Sequence, residues 1–574
     1  MGGSETDSFS LLLFFISHYA LSVCADAYIS TMSNKQVKRE NWGKWTEFFF
    51  SVLGSMVGLA NIWRFPYLCY KNGGGAFLIP FFFFLFIAAV PLLFVELSYS
   101  QYSNLGPGKV WILCPLFKGI GYGMVILSSI ISIFYTNDNR TYLQQSLGFN
   151  NSNSSFHRHA ISASEQFWKH HVLEITSGAS NMGSIRYPLL LCLAISWIFV
   201  FLCLIKGIKS SGKVVYVAAT LPYLLLTILL GRAVTLPGSK DGLLYYMLPK
   251  WEKLKEFSVW KDGAVQIFYS AGVGVGGIST LASYNNFNNN CQRDAFIFPL
   301  IDGLTSWFAG LTTFCILGYM AHISNTDISN VVTQGPGVAF VVYPEALSTL
   351  PFAQLWSSLF FLMLFMVGMD SQFVHVQTLV TALTDIFPNQ LRNRKMLITA
   401  ITCVITFLLG IPCVTQGGVY IVQILDWYCA SLSLLFLAFM EACGVCYIYG
   451  VSRLFDDITL MLGYKPLAIW KPLCKYVAPV SAFACWIITL IGHSSLKYDS
   501  GEPFPIWVSY FGGVIALLSI IPFPVAAIKE LLSLPGPFLK RLKTSVKPTS
   551  EWGPALKKYQ QCKNDINMLT IEET

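Results

Sequence analysis

The chain is short of charge. Of its 574 residues only 12% are Asp, Glu, Lys or Arg, while 54% are hydrophobic and 15% aromatic. An average soluble domain carries about twice that charge, so a water-soluble globule is excluded. Many apolar runs approach the roughly 20 residues that cross about 30 Å of hydrocarbon, which marks a polytopic membrane protein. Paired cysteines are missing as well: the 15 cysteines are scattered through apolar segments, and none occurs between Cys114 and Cys192. They read as small buried hydrophobes, not as a disulfide framework. Cys443 and Cys446 form a CxxC inside a helical run, where core packing is the simpler meaning. Enzyme signatures are absent: there is no GxxxxGK[S/T], no HExxH, and no GxSxG followed by Asp and His. The chain reads as a non-enzyme.

The net charge of +8 does not indicate nucleic acid, because the basic residues sit in short loops and in the tail. They include Lys35, Lys38, Arg39 and Lys44, then Lys206, Lys209 and Lys213, then Arg392, Arg394 and Lys395, and finally Lys540, Arg541, Lys543 and Lys547. By the positive-inside rule both termini are expected in the cytoplasm, in a multi-pass plasma-membrane protein. The apolar run Ser10 to Cys24 is too short to span comfortably, and no lysine or arginine precedes it as in a signal peptide. It is read as an N-terminal extension of unassigned role, or a gene-model artefact.

Apolar runs bounded by charge and Gly/Pro signals predict twelve helices, near 47–70, 75–101, 118–136, 187–205, 212–231, 264–283, 295–320, 353–385, 395–413, 417–450, 472–493 and 503–528. The domain plan is an N-terminal extension and cytoplasmic segment at 1–44 and a first five-helix repeat at 45–232. A second, inverted repeat at 262–452, two last helices at 470–530 and a cytoplasmic tail at 531–574 complete it. The polar loop 137–186 carries sequons at Asn139, Asn150 and Asn153, so it is expected to be extracellular and glycosylated. His157, His159, His170 and His171 in this loop suit zinc by residue type, but without helical spacing they read as solvated.

The first run is interrupted: Gly54, Gly58, Asn61, Arg64 and Pro66 stand where an ordinary spanning helix is unbroken. The sixth holds Gly272, Gly274, Gly276 and Gly277 in six residues, each costing ~1 kcal/mol relative to alanine in a helix. Broken helices at membrane depth line cavities, and a pair of them in corresponding halves points to a transport site between inverted repeats. Close packing through small residues is the plainer account of the glycines. Arg64, Glu96, Asp302, Asp370, His375, Asp385, Asp426 and Glu441 lie within the apolar runs. Each costs roughly 2.5–3.5 kcal/mol at a helix centre unless it faces protein or water. Hydroxyls adjoin two of them, Thr305 and Ser306 near Asp302 and Ser371 beside Asp370, an oxygen-rich setting suited to a hard cation such as Na+.

Three groups of motifs then carry a resemblance. Asn61-Ile62-Trp63-Arg64-Phe65-Pro66-Tyr67 precedes Asn72-Gly73-Gly74-Gly75-Ala76-Phe77; Ser283-Tyr284-Asn285 precedes Cys291-Gln292-Arg293-Asp294; Asp370-Ser371-Gln372-Phe373 follows. In this order they resemble the neurotransmitter:sodium symporters, solute carrier family 6, from about Arg39 to Trp552-Gly553-Pro554. The resemblance implies an all-α membrane protein of twelve transmembrane helices, two inverted five-helix repeats with broken first and sixth helices plus two extra. It implies a symporter driven by Na+, usually with Cl-, working by alternating access. Carried over by position, a first sodium site uses the Met56 carbonyl with Asn61, Ser270 and Asp302. A second uses the carbonyls of Gly54, Val57 and Val367 with Asp370 and Ser371. Gly58, Ile131, Tyr135, Tyr269, Gly272, Val275, Gln372 and His375 line the substrate pocket; His375 reads equally as a hydrogen-bonded helix residue. Arg64 and Asp426 form an outer gate under a lid of Tyr135 and Tyr269, and Arg39 and Asp385 an inner gate supported by Trp42 and Tyr284. Monoamine members carry aspartate where Gly58 stands, so the resemblance implies a small amino-acid substrate with a free carboxylate, of the glycine, GABA, proline or larger neutral type.

Three departures from the family follow. Its chloride site has a tyrosine where Phe81 stands, matches Gln266, Ser270 and Ser306, and has an asparagine where Asp302 stands. A carboxylate there does chloride's electrostatic work and repels an anion ~4–6 Å away, so weakened or absent chloride dependence is expected. A protonated Asp302 acting like asparagine is the other reading. Gln377 replaces a usual glutamate, with no assigned effect. Family members also continue the third helix for several turns past the position of Tyr135, and their second extracellular loop carries a disulfide pair. Here Thr136-Asn137-Asp138-Asn139-Arg140 follows at once, so the outer half of that helix is expected to be missing. A skipped exon or incomplete gene model accounts for this, and a non-transporting binding or regulatory membrane protein is the alternative function.

Overall fold

The computed structural model describes residues 39–148, 167–328, 343–348, 351–491, 496, 498 and 502–554. The run Ser10–Cys24, the sequons at Asn150 and Asn153, and His157 and His159 lie outside them. The described chain is helical throughout, with β-structure limited to two isolated bridges, Gly74 with Pro249 and Ile185 with Thr415.

Apolar length dictates the architecture. Among the described residues ten helices are long and apolar enough to cross a membrane, or eleven if one bent pair is counted as a span. The pair is α1 (Trp45–Met56) and α2 (Ala60–Lys71), which meet at 48°. Then come α3 (Gly75–Ser103), α4 (Lys118–Gly148), α5 (Tyr187–Leu204), α6 (Ile208–Val234) and the short α7 (Ser239–Met247). The predicted sixth segment is two short helices, α8 (Phe257–Ala271) and α9 (Gly277–Ala282). The linker between them holds Gly272, Gly274 and Gly276 at φ +61, +83 and +86, a left-handed conformation that side-chain-bearing residues resist. There follow α10 (Cys291–Ser324), α11 (Tyr343–Ser348), α12 (Ala353–Ile386), α13 (Lys395–Gly410) and α14 (Gly418–Tyr428). The chain ends with α15 (Leu434–Leu462), α16 (Trp470–Ile491), α17 (Ile506–Ser533) and α18 (Phe538–Ser545). In the centre α12 packs on α1, α4 and α6, while α10 packs on α3, α6 and α7.

One expectation is corrected here. The third helix does not end at Thr136; α4 runs on to Gly148, so residues 137–148, expected in the loop, are helical and Asn139 lies on a helix. The apolar portion does stop at Thr136. Between Gly123 and Gly148, however, there is neither glycine nor proline to break the backbone. Among the described residues every cysteine but Cys443 is buried.

Candidate ion and substrate site

The α1–α2 break builds the first half of the site. Val57 leaves the helical region at ψ 83, and the Gly58 amide turns back to donate to the Met56 carbonyl at 2.9 Å and to Asn61 Oδ1 at 3.0 Å. With its oxygen so fixed, Asn61 points its Nδ2 at α10, donating to Asp302 Oδ1 at 2.7 Å and to Ser306 Oγ at 2.9 Å. Ser270, near the end of α8, donates its hydroxyl to Asp302 Oδ2 at 2.7 Å. Asn61, Ser270, Asp302 and Ser306 are all buried. The structure thus brings three residues expected at the first ion site into one cluster, with Met56 in the adjoining turn. No lysine, arginine or histidine pairs with Asp302 among the described residues. A buried carboxylate held only by neutral donors is a natural ligand for a small cation.

The second expected set also converges. Gly54, Val57, Val367 and Asp370 share the wall of a cavity of about 10 Å³ with residues of α6, among them Ala219 and Tyr223. That is close to the space one water-sized sphere needs. Asp370 Oδ1 is buried without a hydrogen-bond partner, and Ser371 Oγ faces the Gly54 and Ser55 carbonyls at 3.5 and 3.4 Å. A Cβ on Gly54 would stand 2.6 Å from Asp370 Oδ2, so glycine is what lets the carboxylate approach. Among the described residues no three His, Cys, Asp or Glu side chains converge. Both sets mix one carboxylate with neutral oxygens, a composition for a hard cation of low charge.

Between the two sets lies a cavity of about 70 Å³, room for several water-sized groups. Gly58, Ile131, Tyr135, Tyr269, Gly272, Val275 and His375 line it as expected. Gln372 does not. Its amide turns to α4 and donates to the Ser132 carbonyl at 3.2 Å and hydroxyl at 2.5 Å, because it lies on the face of α12 that packs there. His375 both lines the cavity and bonds through Nδ1 to Ser128 Oγ at 3.0 Å, so its two readings hold together. Tyr135 closes over the break: its hydroxyl accepts from the Leu59 amide at 3.1 Å and stands 2.6 Å from where a Cβ on Gly58 would lie.

The two gates differ. On the inner side Arg39 Nη1 meets Asp385 Oδ2 at 2.6 Å, and Arg39 Nη2 donates to Ser283 Oγ at 2.6 Å. The guanidinium lies over the Tyr284 ring at 4.5 Å, the Trp42 amide donates to the Tyr284 carbonyl at 3.0 Å, and the Gly106 amide caps Asp385 at 2.9 Å. Arg392, which the sequence reading did not place here, approaches the other carboxylate oxygen at 3.6 Å. On the outer side Arg64 and Asp426 do not form the expected ion pair. Tyr269 separates them: its hydroxyl donates to Asp426 at 3.0 Å, and Arg64 lies over its ring at 4.2 Å. The expected inner ion pair is made and the expected outer one is not.

At the expected chloride position, Gln266 Nε2 donates to the Ala60 carbonyl at 3.2 Å while its Oε1 is buried without a partner. Phe81 offers only a ring, packed on Phe65 at 4.7 Å. Ser270 is already committed to Asp302.

Residues 39–137 and 136–534 match the model of the sodium:neurotransmitter symporter family. The chain belongs to this family. It is 42% identical to the sodium- and chloride-dependent glycine transporter 1 of Xenopus laevis, over 92% of this chain and 90% of the relative. It is 40% identical to the sodium- and chloride-dependent glycine transporter 2 of the same species, over 92% and 74%. With the sodium- and chloride-dependent GABA transporter 2 of Rattus norvegicus the figure is 39%, over 90% of each chain. The two matched stretches meet at residues 136 and 137, inside α4. Several cavity residues of this family member were not foreseen: Ser55, Phe134, Ile278 and Leu434. Phe134 had a signal, standing three positions after Ile131 on one helix face; Leu434 had none.

Proposed function

We propose that the protein is a sodium-coupled symporter of a small neutral amino acid with a free carboxylate, working by alternating access in the plasma membrane. Twelve spans with both termini cytoplasmic, and two sodium sites, belong to this reading. The observation that carries it is the meeting of Gly58 and Tyr135. A Cβ at position 58 would meet the Tyr135 hydroxyl at 2.6 Å, so with Tyr135 in this place no aspartate stands there to receive an amine, and the space beside Asn61 is left for the carboxylate of the substrate. Names of the relatives, glycine and GABA transporters, support the same class.

Met56, Asn61, Ser270 and Asp302 hold one sodium ion as co-substrate, next to the amino-acid carboxylate. Gly54, Val57, Val367, Asp370 and Ser371 hold the other and tie α1 to α12. With substrate bound, Tyr269 moves and Arg64 reaches Asp426; then Arg39 leaves Asp385 and the inner side opens. Asp302 supplies the negative charge that chloride supplies in the relatives, so chloride dependence is weakened.

A second reading, a non-transporting member of the family, is favoured by one observation: the family match parts at residues 136 and 137, within the helix that lines the cavity. Uptake of radiolabelled glycine, GABA, proline and leucine by cells expressing the chain, in sodium against choline medium, separates the two. Sodium-dependent uptake of one of them supports symport; none, with the chain at the cell surface, supports the second reading.

A further inference from the structure

The last helix carries a pattern that transport does not use. After α17 ends at Ser533 the chain turns through Leu534–Pro537, with Gly536 at φ +106, and begins again as α18 at Phe538. Four residues reach at most roughly 14 Å, so α18 starts near the end of the apolar span. Its inner face is fixed: Ser545 is buried, Leu542 is half-buried, and Arg541 donates to the Leu531 carbonyl at 3.5 Å. The chain after it is fixed as well. The Thr549 amide donates to the Ile112 carbonyl at 3.0 Å, and the Trp552 indole to the Tyr449 hydroxyl at 3.0 Å.

The outer face mixes two chemistries. Phe538 and Leu539 are 64% and 70% exposed, continuing the exposed apolar side of α17 at Ile528 and Leu532. Lys540, Lys543 and, just beyond the helix, Lys547 are exposed beside them, whereas no acidic residue occurs from Leu531 to Ser550. A short helix with apolar side chains flanked by lysines lies in the headgroup layer, burying the first and snorkelling the second. Three lysines in a stretch that holds no acidic residue between Glu530 and Glu551 complement anionic headgroups, which attract basic segments just beyond a span.

We infer that α18 is an interfacial anchor that selects anionic phospholipid at the end of the last span. In the cell this places it at the inner leaflet, a step that rests on the cytoplasmic tail proposed above. The test uses the full chain reconstituted in phosphatidylcholine bilayers containing spin-labelled phosphatidylserine or spin-labelled phosphatidylcholine. Electron paramagnetic resonance reads the motionally restricted fraction of each. The wild-type chain is expected to restrict phosphatidylserine more than phosphatidylcholine, with the preference lowered by salt. Lys540→Gln/Lys543→Gln/Lys547→Gln is expected to reduce that preference about two-fold or more, while arginine at the same three positions keeps it. An unchanged preference in the glutamine variant, with the arginine variant folded, overturns the inference and leaves the face to an acidic protein partner. The readout is lipid contact and not uptake, so its failure is separate from failure of the transport reading.

Discussion

Asn61 donates its amide to the carboxylate of Asp302 at 2.7 Å, joining the break between α1 and α2 to the middle of α10. The same carboxylate accepts from Ser270, so one acidic side chain joins all three walls of the candidate ion cluster.

From that contact comes the chloride prediction. Replacing chloride by gluconate is expected to leave sodium-driven uptake nearly unchanged, and Asp302→Asn to make uptake depend steeply on chloride. A steep loss in the wild-type chain on removing chloride would show that Asp302 is neutral and does no anionic work.

Gly58 sets the second expectation. An added methyl stands 2.6 Å from the Tyr135 hydroxyl. Overpacking of this kind costs about 1–3 kcal/mol, so Gly58→Ala should lower uptake roughly 5- to 150-fold. Gly58→Ala/Tyr135→Phe should recover part of it; a double variant no better than the single places the conflict elsewhere.

Gln372 is expected to support the fold and not to select substrate. Gln372→Ala strips both bonds to Ser132 and should lower stability by about 1–3 kcal/mol, measured as thermal aggregation in detergent. The KM for the amino acid should stay near wild type. A several-fold rise in KM at unchanged stability would return Gln372 to the pocket.

Two cations share Asp385, at 2.6 Å for Arg39 and 3.6 Å for Arg392. Arg39→Gln should therefore impair uptake more than Arg392→Gln, and the double variant more than either. Equal losses from the two single variants would mean that Arg392, not only Arg39, holds the gate shut.

The backbone breaks were legible because glycine at Gly54, Gly58 and Gly272–Gly277 interrupts otherwise apolar helical runs. The clusters around Asn61 and Asp370 followed from motif order. Other features were hidden for physical reasons. Hydropathy ends at Thr136, but helicity depends on backbone breakers and continues to Gly148. Gln372 lies about 100° around the helix from Ser371, and spacing alone does not say which wall that direction meets. The separation of Arg64 from Asp426 depends on where the Tyr269 ring lies between them, which position along the chain does not encode. Arg392 lies in the short helical segment between α12 and α13, and only tertiary structure turns it back toward Asp385.

Tyr269 lines the cavity with one side of its ring and separates Arg64 from Asp426 with the rest. Its position couples what lies below it to what happens above it. In the cycle proposed above, a molecule that lets the ring shift completes the outer ion pair, whereas one long enough to prop the ring keeps the arginine and the carboxylate apart. The side chain then serves as a ruler. Uptake is expected to depend on ligand length, and a compound a few atoms longer than the substrate is expected to inhibit from outside, through the same tyrosine.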